Sequence, residues 1–101
     1  MIKERPTINR EAKRTKTRKG KFTVVIYNDD TTTMDFVVIV LMTIFDYEMR
    51  SAINLMLQIH NSEKKVVGIY PEKLAHGKRN EAMELAKSFG FDTFKVEVEE
   101  V

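Results

Sequence analysis

The residues with the greatest chemical potential in this chain of 101 amino acids are Asn28, Asp29 and Asp30. They lie between two apolar segments, "KFTVVIY" (21–27) and "MDFVVIVLM" (34–42). An amide and two carboxylates at the edge of apolar surface can form a turn, ligate a metal, or accept hydrogen bonds from a cation that has an apolar body. The sequence of the whole loop excludes some of these possibilities.

The loop "NDDTTT" (28–33) argues against three kinds of site. Calcium loops supply six or more oxygens, with a central glycine and a downstream glutamate that are missing here. Neighbouring carboxylates repel phosphate, and no glycine-rich turn is present. Acid–base catalysis needs a partner nucleophile or an activating group, and no such motif is visible. We therefore predict no metal, no cofactor and no enzymatic activity. A simple Asx turn and a site for an ammonium group, which has three donors and no acceptor, both stay open.

The segment after the loop is apolar at nearly every position from 36 to 42. A helix packed between a sheet and a neighbouring helix explains most of this pattern. An open apolar pocket is the functional alternative, with Met34 and Val37 on the turn nearest the acidic loop. Met56 and His60, one turn apart in the next helix, face that pocket if the two helices pack antiparallel.

Charge is distributed unevenly along the chain. Residues 1–21 contain nine Lys and Arg against two Glu, a net charge of +7, whereas the remainder carries −5. A segment so poor in apolar residues cannot offset the entropy cost of ordering. We predict a disordered basic extension over residues 1–20, followed by one folded domain over residues 21–101.

Composition also restricts the class of protein. The chain has no cysteine, which excludes disulfides and thiolate metal sites. The longest apolar run, residues 36–42, is far shorter than the roughly 20 residues of a membrane span, and no signal peptide is recognisable. We expect a cytoplasmic protein with no membrane association.

Hydrophobic periodicity predicts the order β-α-α-β-α-β. The expected elements are a strand over 21–27, a helix from Met34 to about Phe45 capped by Thr32 or Thr33, a helix over roughly 47–62 that starts at Asp46, a strand over 64–71, a helix over roughly 71–89, and a strand over 94–100. Three short strands cannot enclose a core. We therefore predict an α+β fold of two layers, a three-stranded antiparallel sheet covered by three helices.

The same periodicity predicts which side chains face inward. The inward positions are Met49, Ile53, Met56 and Ile59 or His60 in the second helix, Leu74, Ala82, Leu85 and Phe89 in the third, and Phe94, Val96 and Val98 in the last strand. Gly90 followed by Phe91 predicts a Schellman motif at the end of the third helix. His76 is expected at the surface.

Three stretches together resemble a known family. "VVIYNDDTTTMDFV" (24–37), "AINLMLQIH" (52–60) and "VVGIYPEKLAHGK" (66–78) are similar to ClpS, the adaptor of the Clp ATPase–protease for N-degron substrates. The resemblance extends over about residues 22–100. It implies the same βααβαβ fold, and a pocket for the first residue of a protein substrate, typically Leu, Phe, Tyr or Trp. The implied partner is the N-terminal domain of a Clp AAA+ ATPase.

The resemblance also implies roles for individual residues. Asn28, Asp29 and His60 would bind the free α-amino group of the substrate, and Asp30 would mainly support the loop. The residues that would line the side-chain pocket are Thr32, Met34, Val37 and Met56, with Thr93 at a position that helps to close it. Glu72 and Lys78 would face the ATPase.

The chain departs from the family at two places. Asp92 and Thr93 replace a usual Pro-Leu pair at the entry to the last strand, which affects the depth of the pocket. Lys73 occupies a position that is commonly acidic at the ATPase-facing surface. The basic extension resembles that of the family in length and expected disorder, and the family requires it for delivery of substrates.

Two other classes of function compete with the adaptor. A nucleic-acid-binding or ribosome-associated module would use the +7 segment as a phosphate-binding arm. A small hydrolase would be built on Asp29, Asp30 and His60. Nucleic acid is the less expected partner, and the adaptor is preferred to both alternatives.

Overall fold

A computed structural model describes residues 21–101 of the chain. The extension predicted for residues 1–20 lies outside the described residues. The elements are β1 (Phe22–Tyr27), α1 (Met34–Thr43), α2 (Met49–His60), β2 (Lys64–Tyr70), α3 (Glu72–Ser88) and β3 (Val96–Glu100). This is the predicted order of strands and helices.

The three strands form one antiparallel sheet with β1 in the centre, in the order β2-β1-β3. Val24 of β1 lies opposite Gly68 on one side and Val98 on the other. Three successive residues of this central strand, Val24 to Ile26, are buried, and the alternate pair Val24 and Ile26 belongs to the main core. The apolar run that ends at the acidic loop is therefore the middle of the sheet.

The helices cover one face of this sheet. Val24 and Ile26 of β1, Val67 of β2 and Val96 of β3 join one buried cluster with the inward residues of all three helices. On α1 the buried residues are Phe36, Val37, Val40 and Leu41. The predicted two-layer α+β class is confirmed. None of the helices within residues 21–101 is long and apolar enough to cross a membrane.

The start of α2 differs from the prediction. The helix begins at Met49 instead of at Asp46, because Asp46 has a left-handed backbone with φ of 64° that cannot lie within an α-helix. The chain reverses there, and the Tyr47 N–H donates a hydrogen bond to the Leu41 carbonyl at 3.0 Å. A reversal after α1 therefore occupies the residues that we had assigned to the first turn of α2.

The inward face predicted for α2 is partly wrong. Met49 and Ile53 are exposed, whereas Ala52, Met56 and Ile59 are buried. The residues at 52, 56 and 59 have the same three- and four-residue spacing as the predicted stripe. Since α2 carries apolar residues on two adjacent faces, periodicity alone did not identify which of them packs against the core.

The inward face of α3 is also corrected. Leu74 and Phe89, predicted to face inward, are exposed, whereas Ala75, Ala82 and Ala86 are buried. Small side chains allow a helix to approach the sheet closely, and the larger apolar residues then lie at the margins of the contact. Only Ala82 of the predicted set is fully buried, and Leu85 is partly buried.

The end of α3 follows the prediction, whereas β3 begins two residues later than the predicted start at residue 94. Gly90 has φ of 85°, its N–H donates to the Lys87 carbonyl at 3.0 Å, and the Phe91 N–H donates to the Ala86 carbonyl at 2.9 Å. These two bonds define the predicted Schellman motif. Phe94 is buried although β3 begins only at Val96. The segment 91–94 thus turns back towards the start of α1.

Candidate functional site

A cleft opens between the start of α1 and the end of α2. Its lining residues come from four parts of the chain that the fold brings together: Tyr27, Asn28, Asp29 and Thr32 from the end of β1 and the loop, Met34 and Val37 from α1, Met56, Ile59 and His60 from α2, and Phe94 from the segment before β3. The start of α1 therefore meets the end of α2, so the two helices run antiparallel, as the pocket prediction required. We call this cavity the α1–α2 cleft.

The α1–α2 cleft is narrow. The space between its lining atoms is about 300 Å³ including the open mouth, but the part that the centre of a water molecule can reach is only about 20 Å³. That is roughly the space that one water molecule needs. Entry of a larger apolar group requires lining side chains to move, and two of them, Met34 and Met56, are unbranched and flexible.

The carboxylate of Asp29 is held by three hydroxyl groups on one oxygen. Thr31, Thr32 and Thr93 contact its Oδ2 through their Oγ1 atoms, at 3.0, 2.5 and 2.9 Å respectively. The Oγ1 atoms of Thr31 and Thr93 are also 2.6 Å apart. We call these three residues the threonine cluster. It connects the loop after β1 to the segment before β3.

Two opposing effects set the charge state of Asp29. Partial burial of its carboxyl group acts to raise the pKa, but the hydrogen bonds from Thr32, Thr93 and Thr31 outweigh this effect and hold the pKa of Asp29 below its ordinary value. The site therefore presents a full negative charge at neutral pH.

The N-terminus of α1 is capped by a residue other than Asp29. Thr33 caps α1, because its Oγ1 accepts a hydrogen bond from the Phe36 N–H at 3.2 Å. The Asn28 backbone N–H donates to the Glu63 carbonyl at 3.0 Å, which ties the loop to the α2–β2 connection. Asp29 is thus not required to cap the helix, and its side chain lines the cleft.

No ion pair within residues 21–101 involves the acidic loop. Lys64 pairs with Glu99 at 3.5 Å and Lys95 with Glu97 at 3.6 Å, and both ammonium groups lie over the ring of Tyr27. The same part of the chain contains no group of three acidic or histidine side chains arranged to hold a metal. The charge of Asp29 is therefore not neutralised by a lysine or arginine of the described domain.

Most of the predicted site residues meet in the cleft. Asn28, Asp29, Thr32, Met34, Val37, Met56 and His60 all line it. Asp30 is exposed and does not line the cleft, and its supporting role in the loop stays a prediction. Thr93 does not line it either, and its hydroxyl contacts Asp29 instead.

The two residues predicted to face an ATPase lie on α3, away from the cleft. Glu72 is exposed in the first turn. Lys78 donates from Nζ to the Ile44 carbonyl at 2.7 Å, and its Nζ is 4.0 Å from Asp46. The ammonium group of Lys78 is thus engaged at the end of α1.

Three residues that line the cleft were not among the predicted site residues: Tyr27, Ile59 and Phe94. Each had a visible signal. Tyr27 directly precedes Asn28 at the end of a strand, and Ile59 and Phe94 belonged to predicted inward faces. These positions were assigned to the core alone, although the margin of the core is also the wall of the cleft.

Comparison with known proteins now identifies relatives of this chain. A family model described as "ATP-dependent Clp protease adaptor protein ClpS" matches residues 17–96. The ATP-dependent Clp protease adapter protein ClpS of Wolinella succinogenes is 44% identical over 71 residues, which cover 70% of either chain. The protein of the same name from Campylobacter jejuni strain RM1221 is 40% identical over 70 residues, which cover 69% of this chain and 73% of the relative.

A solved structure agrees with the sequence matches. Agrobacterium tumefaciens ClpS2, bound to L-phenylalaninamide, superposes with a TM-score of 0.72 at 30% identity, over 80% of this chain and 99% of that chain. These names describe an adaptor of a protease, in agreement with the prediction that the chain is not an enzyme. Since the family model spans well over half of its residues, the chain belongs to the ClpS family of adaptors of the ATP-dependent Clp protease.

Proposed function

We propose that this chain binds protein substrates in the cytoplasm by their N-terminal residue, with a preference for Leu, Phe, Tyr or Trp, and delivers them to a Clp ATPase–protease. The α-ammonium group of the substrate would be held by Asn28, Asp29 and His60. The first side chain would enter the apolar part of the α1–α2 cleft, between Met34, Val37 and Met56.

One observation carries this proposal. Hydrogen-bond acceptors and a carboxylate that no lysine or arginine of residues 21–101 neutralises lie at the same cleft as a wall of flexible apolar side chains. A free N-terminus that begins with a hydrophobic residue has the matching features, a cation and an apolar group on one carbon atom. Internal Leu or Phe residues lack the cation, so the two features together distinguish a chain end.

The energies are adequate for a transient adaptor. An α-amino group has a pKa of about 7.7–8.0, so it is mainly cationic at neutral pH. Hydrogen bonds to charged groups contribute about 1.5–3 kcal/mol each, and burial of a Leu or Phe side chain contributes about 1.5–3 kcal/mol. After the cost of association, a dissociation constant near the micromolar range follows.

The ligand of the Agrobacterium relative supports the proposal. L-phenylalaninamide has a free α-amino group and a phenyl side chain, while its carboxyl end is an uncharged amide. It therefore resembles the first residue of a polypeptide that starts with Phe. Here the cleft is narrow, so we expect Met34 and Met56 to rearrange when a ring enters.

A peptide titration tests the binding function. Fluorescence anisotropy would compare a labelled peptide that begins with Phe, the same peptide with its N-terminus acetylated, and a peptide that begins with Gly. We expect only the first to bind tightly, because acetylation removes the cation and Gly removes the apolar group. Equal affinity for the acetylated peptide would contradict the ammonium site.

Delivery requires a second surface, which we propose is the start of α3 together with the basic extension. Glu72 is exposed there, whereas the ammonium group of Lys78 already bonds within the chain. The receiving unit would be the N-terminal domain of the ATPase.

Deletion of residues 1–20 separates binding from delivery. We expect unchanged peptide affinity and slower degradation of a Leu-initiated reporter protein in a reconstituted Clp system. Full-rate degradation by the truncated chain would contradict the delivery role of the extension.

A further inference from the structure

Thr93 occupies a place that neither the apolar wall of the cleft nor the core explains. It is exposed, it precedes the buried Phe94, and its Oγ1 is 2.9 Å from Asp29 Oδ2 and 2.6 Å from Thr31 Oγ1. These contacts join residues that are 64 and 62 positions apart in the chain. The Thr93 hydroxyl thus joins the segment before β3 to the loop after β1, through the Asp29 carboxylate and the Thr31 hydroxyl.

We infer that Thr93 is a positioning residue for Asp29, and that the threonine cluster fixes the carboxylate so that it presents its charge to the α-ammonium group of a substrate. This inference rests on the proposed function of the α1–α2 cleft. It goes beyond it by assigning the orientation of Asp29 to a residue outside the cleft.

The distribution of hydrogen bonds supports this assignment. All three hydroxyl contacts fall on Oδ2 of Asp29, whereas Oδ1 receives no side-chain hydrogen bond within residues 21–101. An oxygen that accepts several donors is fixed in place, and its partner on the same planar group is then fixed too. Asp29 therefore keeps one oriented oxygen for an incoming donor.

The number of hydroxyl protons in the threonine cluster explains why Thr93 affects the position of Asp29 by more than its single direct contact. Each threonine hydroxyl has a single proton, so Thr31 cannot donate to Asp29 and to Thr93 at once. When Thr31 donates to Thr93, the hydroxyl of Thr93 donates onward to Asp29, and a chain of bonds results. Thr93 is the only member of the cluster that comes from outside the loop, so it is the member that anchors the loop to the rest of the domain.

A hydroxyl group at position 93 serves a different purpose from an apolar side chain there. An apolar residue would extend the wall of the cleft, whereas Thr93 leaves the wall to Phe94 and turns its hydroxyl to the carboxylate. In this chain, position 93 therefore acts on the charged end of the ligand.

The test removes the hydroxyl group of Thr93 and keeps the shape of its side chain. Thr93→Val is nearly isosteric and lacks the donor, and Thr93→Ser restores it. Thr43→Val is the matched control, since it removes a hydroxyl that bonds to the Ile39 carbonyl at the far end of α1. Each full-length variant is titrated with a Phe-initiated peptide.

We expect the Thr93→Val protein to bind the peptide about three- to tenfold more weakly. A less well oriented Asp29 would keep only part of its charge-assisted hydrogen bond to the ammonium group. The Thr93→Ser protein should recover most of the affinity, and the Thr43→Val protein should match the wild type.

A second measurement is needed because weaker binding can also arise from a general loss of structure. Carboxyl ¹³C NMR of Asp29 reports its titration directly. In the Thr93→Val protein we expect the pKa of Asp29 to rise, because burial remains while one lowering hydrogen bond is lost. The titratable groups near Asp29 are Tyr27 and His60 in the cleft and, beside the two joined segments, Asp30 and Asp92. All four are the same in every variant.

The outcomes separate the inference from the function on which it rests. If wild type fails to bind the free Phe-initiated peptide, the proposed function is wrong. If wild type binds and the Thr93→Val protein shows the same affinity and the same titration of Asp29, the positioning role is wrong. If the Thr93→Val protein does not fold, Thr93→Ala replaces it, because that change removes the same hydroxyl donor to Asp29; an unchanged Asp29 titration there would likewise overturn the role.

Discussion

The two ends of α1 each have an aspartate nearby, and the surroundings of the two aspartates are opposite. At the start of the helix, Asp29 lies within hydrogen-bond distance of three threonine hydroxyls and has no ion pair with a lysine or arginine of the described domain. At the end of the helix, Asp46 is exposed beside Lys78, which also donates to the Ile44 carbonyl. Within residues 21–101, the Asp29 carboxylate is oriented without a paired lysine or arginine, whereas the Asp46 carboxylate lies beside Lys78.

The difference shows that the two ends of one helix can hold a carboxylate in opposite electrostatic surroundings. A cation near the last carbonyls of a helix stabilises its C-terminal end, as Lys78 does for α1. Neutral hydroxyls at the other end orient a carboxylate without cancelling its charge. Only the latter arrangement leaves electrostatic attraction available for a ligand, which agrees with the binding role that we propose for the start of α1.

The largest expected effect comes from removal of the oriented charge. Asp29→Asn should weaken binding of a Phe-initiated peptide by about 2–5 kcal/mol, because a desolvated ammonium group loses its charged partner. Asp46→Asn is the matched control and should leave affinity unchanged, since Asn also tolerates the left-handed backbone at that position. Anisotropy titrations and thermal melting of both variants provide the measurement. A large loss of stability in the Asp29→Asn protein with intact peptide binding would assign Asp29 to the turn instead.

The next effect concerns the other end of α1. Lys78→Met should lower the free energy of unfolding by about 1.5–3 kcal/mol, because the carbonyl of the buried Ile44 loses a charged donor. The exposed Lys73 gives the control, and Lys73→Met should change stability by less than about 0.5 kcal/mol. Urea denaturation measures both, and peptide affinity should stay constant. Equal denaturation midpoints for the two variants would mean that the hydrogen bond from Lys78 to the Ile44 carbonyl does not stabilise the fold.

A smaller effect tests the selectivity of the cleft. Met34 lines the mouth beside Val37, and crowding there should disfavour substrates that are branched at Cβ. Met34→Ala should reduce the preference for Leu over Ile by about 1–2 kcal/mol, the value of one or two methylene groups. Met49→Ala, at an exposed methionine of α2, is the control. An Ile-to-Leu affinity ratio that is the same in wild type and Met34→Ala would exclude Met34 as the gate.

The smallest effect is a dependence of stability on pH. Because the pKa of folded Asp29 lies below its ordinary value of about 3.9, its contribution to stability is complete above that pH and is lost as the pH falls through the lower, folded value. The difference in unfolding free energy between wild type and Asp29→Asn should therefore shrink on acidification. Urea denaturation at pH 5 and at progressively lower pH measures it. A difference that grows with acidity would contradict the lowered pKa.

The order of the elements was predictable because it depends on local patterns. The strand before the acidic loop, the cap at Thr33 and the Schellman motif at Gly90 are all specified by residues within a few positions of each other. The cleft was also predictable in large part, since Asn28, Asp29, Met34 and His60 were expected to meet there.

What could not be predicted depends on contacts between distant parts of the chain. The bond between Thr93 and Asp29 spans 64 positions, and no local pattern reports it. The same is true of Lys78 and the Ile44 carbonyl, which are 34 positions apart. Helix faces were misassigned for a related reason: α3 packs through alanines, whose small size matters only when the sheet opposite is known.

The long-range tie at Thr93 also has a consequence for synthesis of the protein. Ribosomes make β1 and the acidic loop early, but the hydroxyl that anchors Asp29 belongs to the segment that leads into β3, the last strand of the sheet. While that segment is missing, β1 lacks its neighbour on one side and the cleft lacks the wall formed by Phe94. In a growing chain the sheet and the α1–α2 cleft are therefore incomplete, and the cleft takes its full form only when the whole domain has been made.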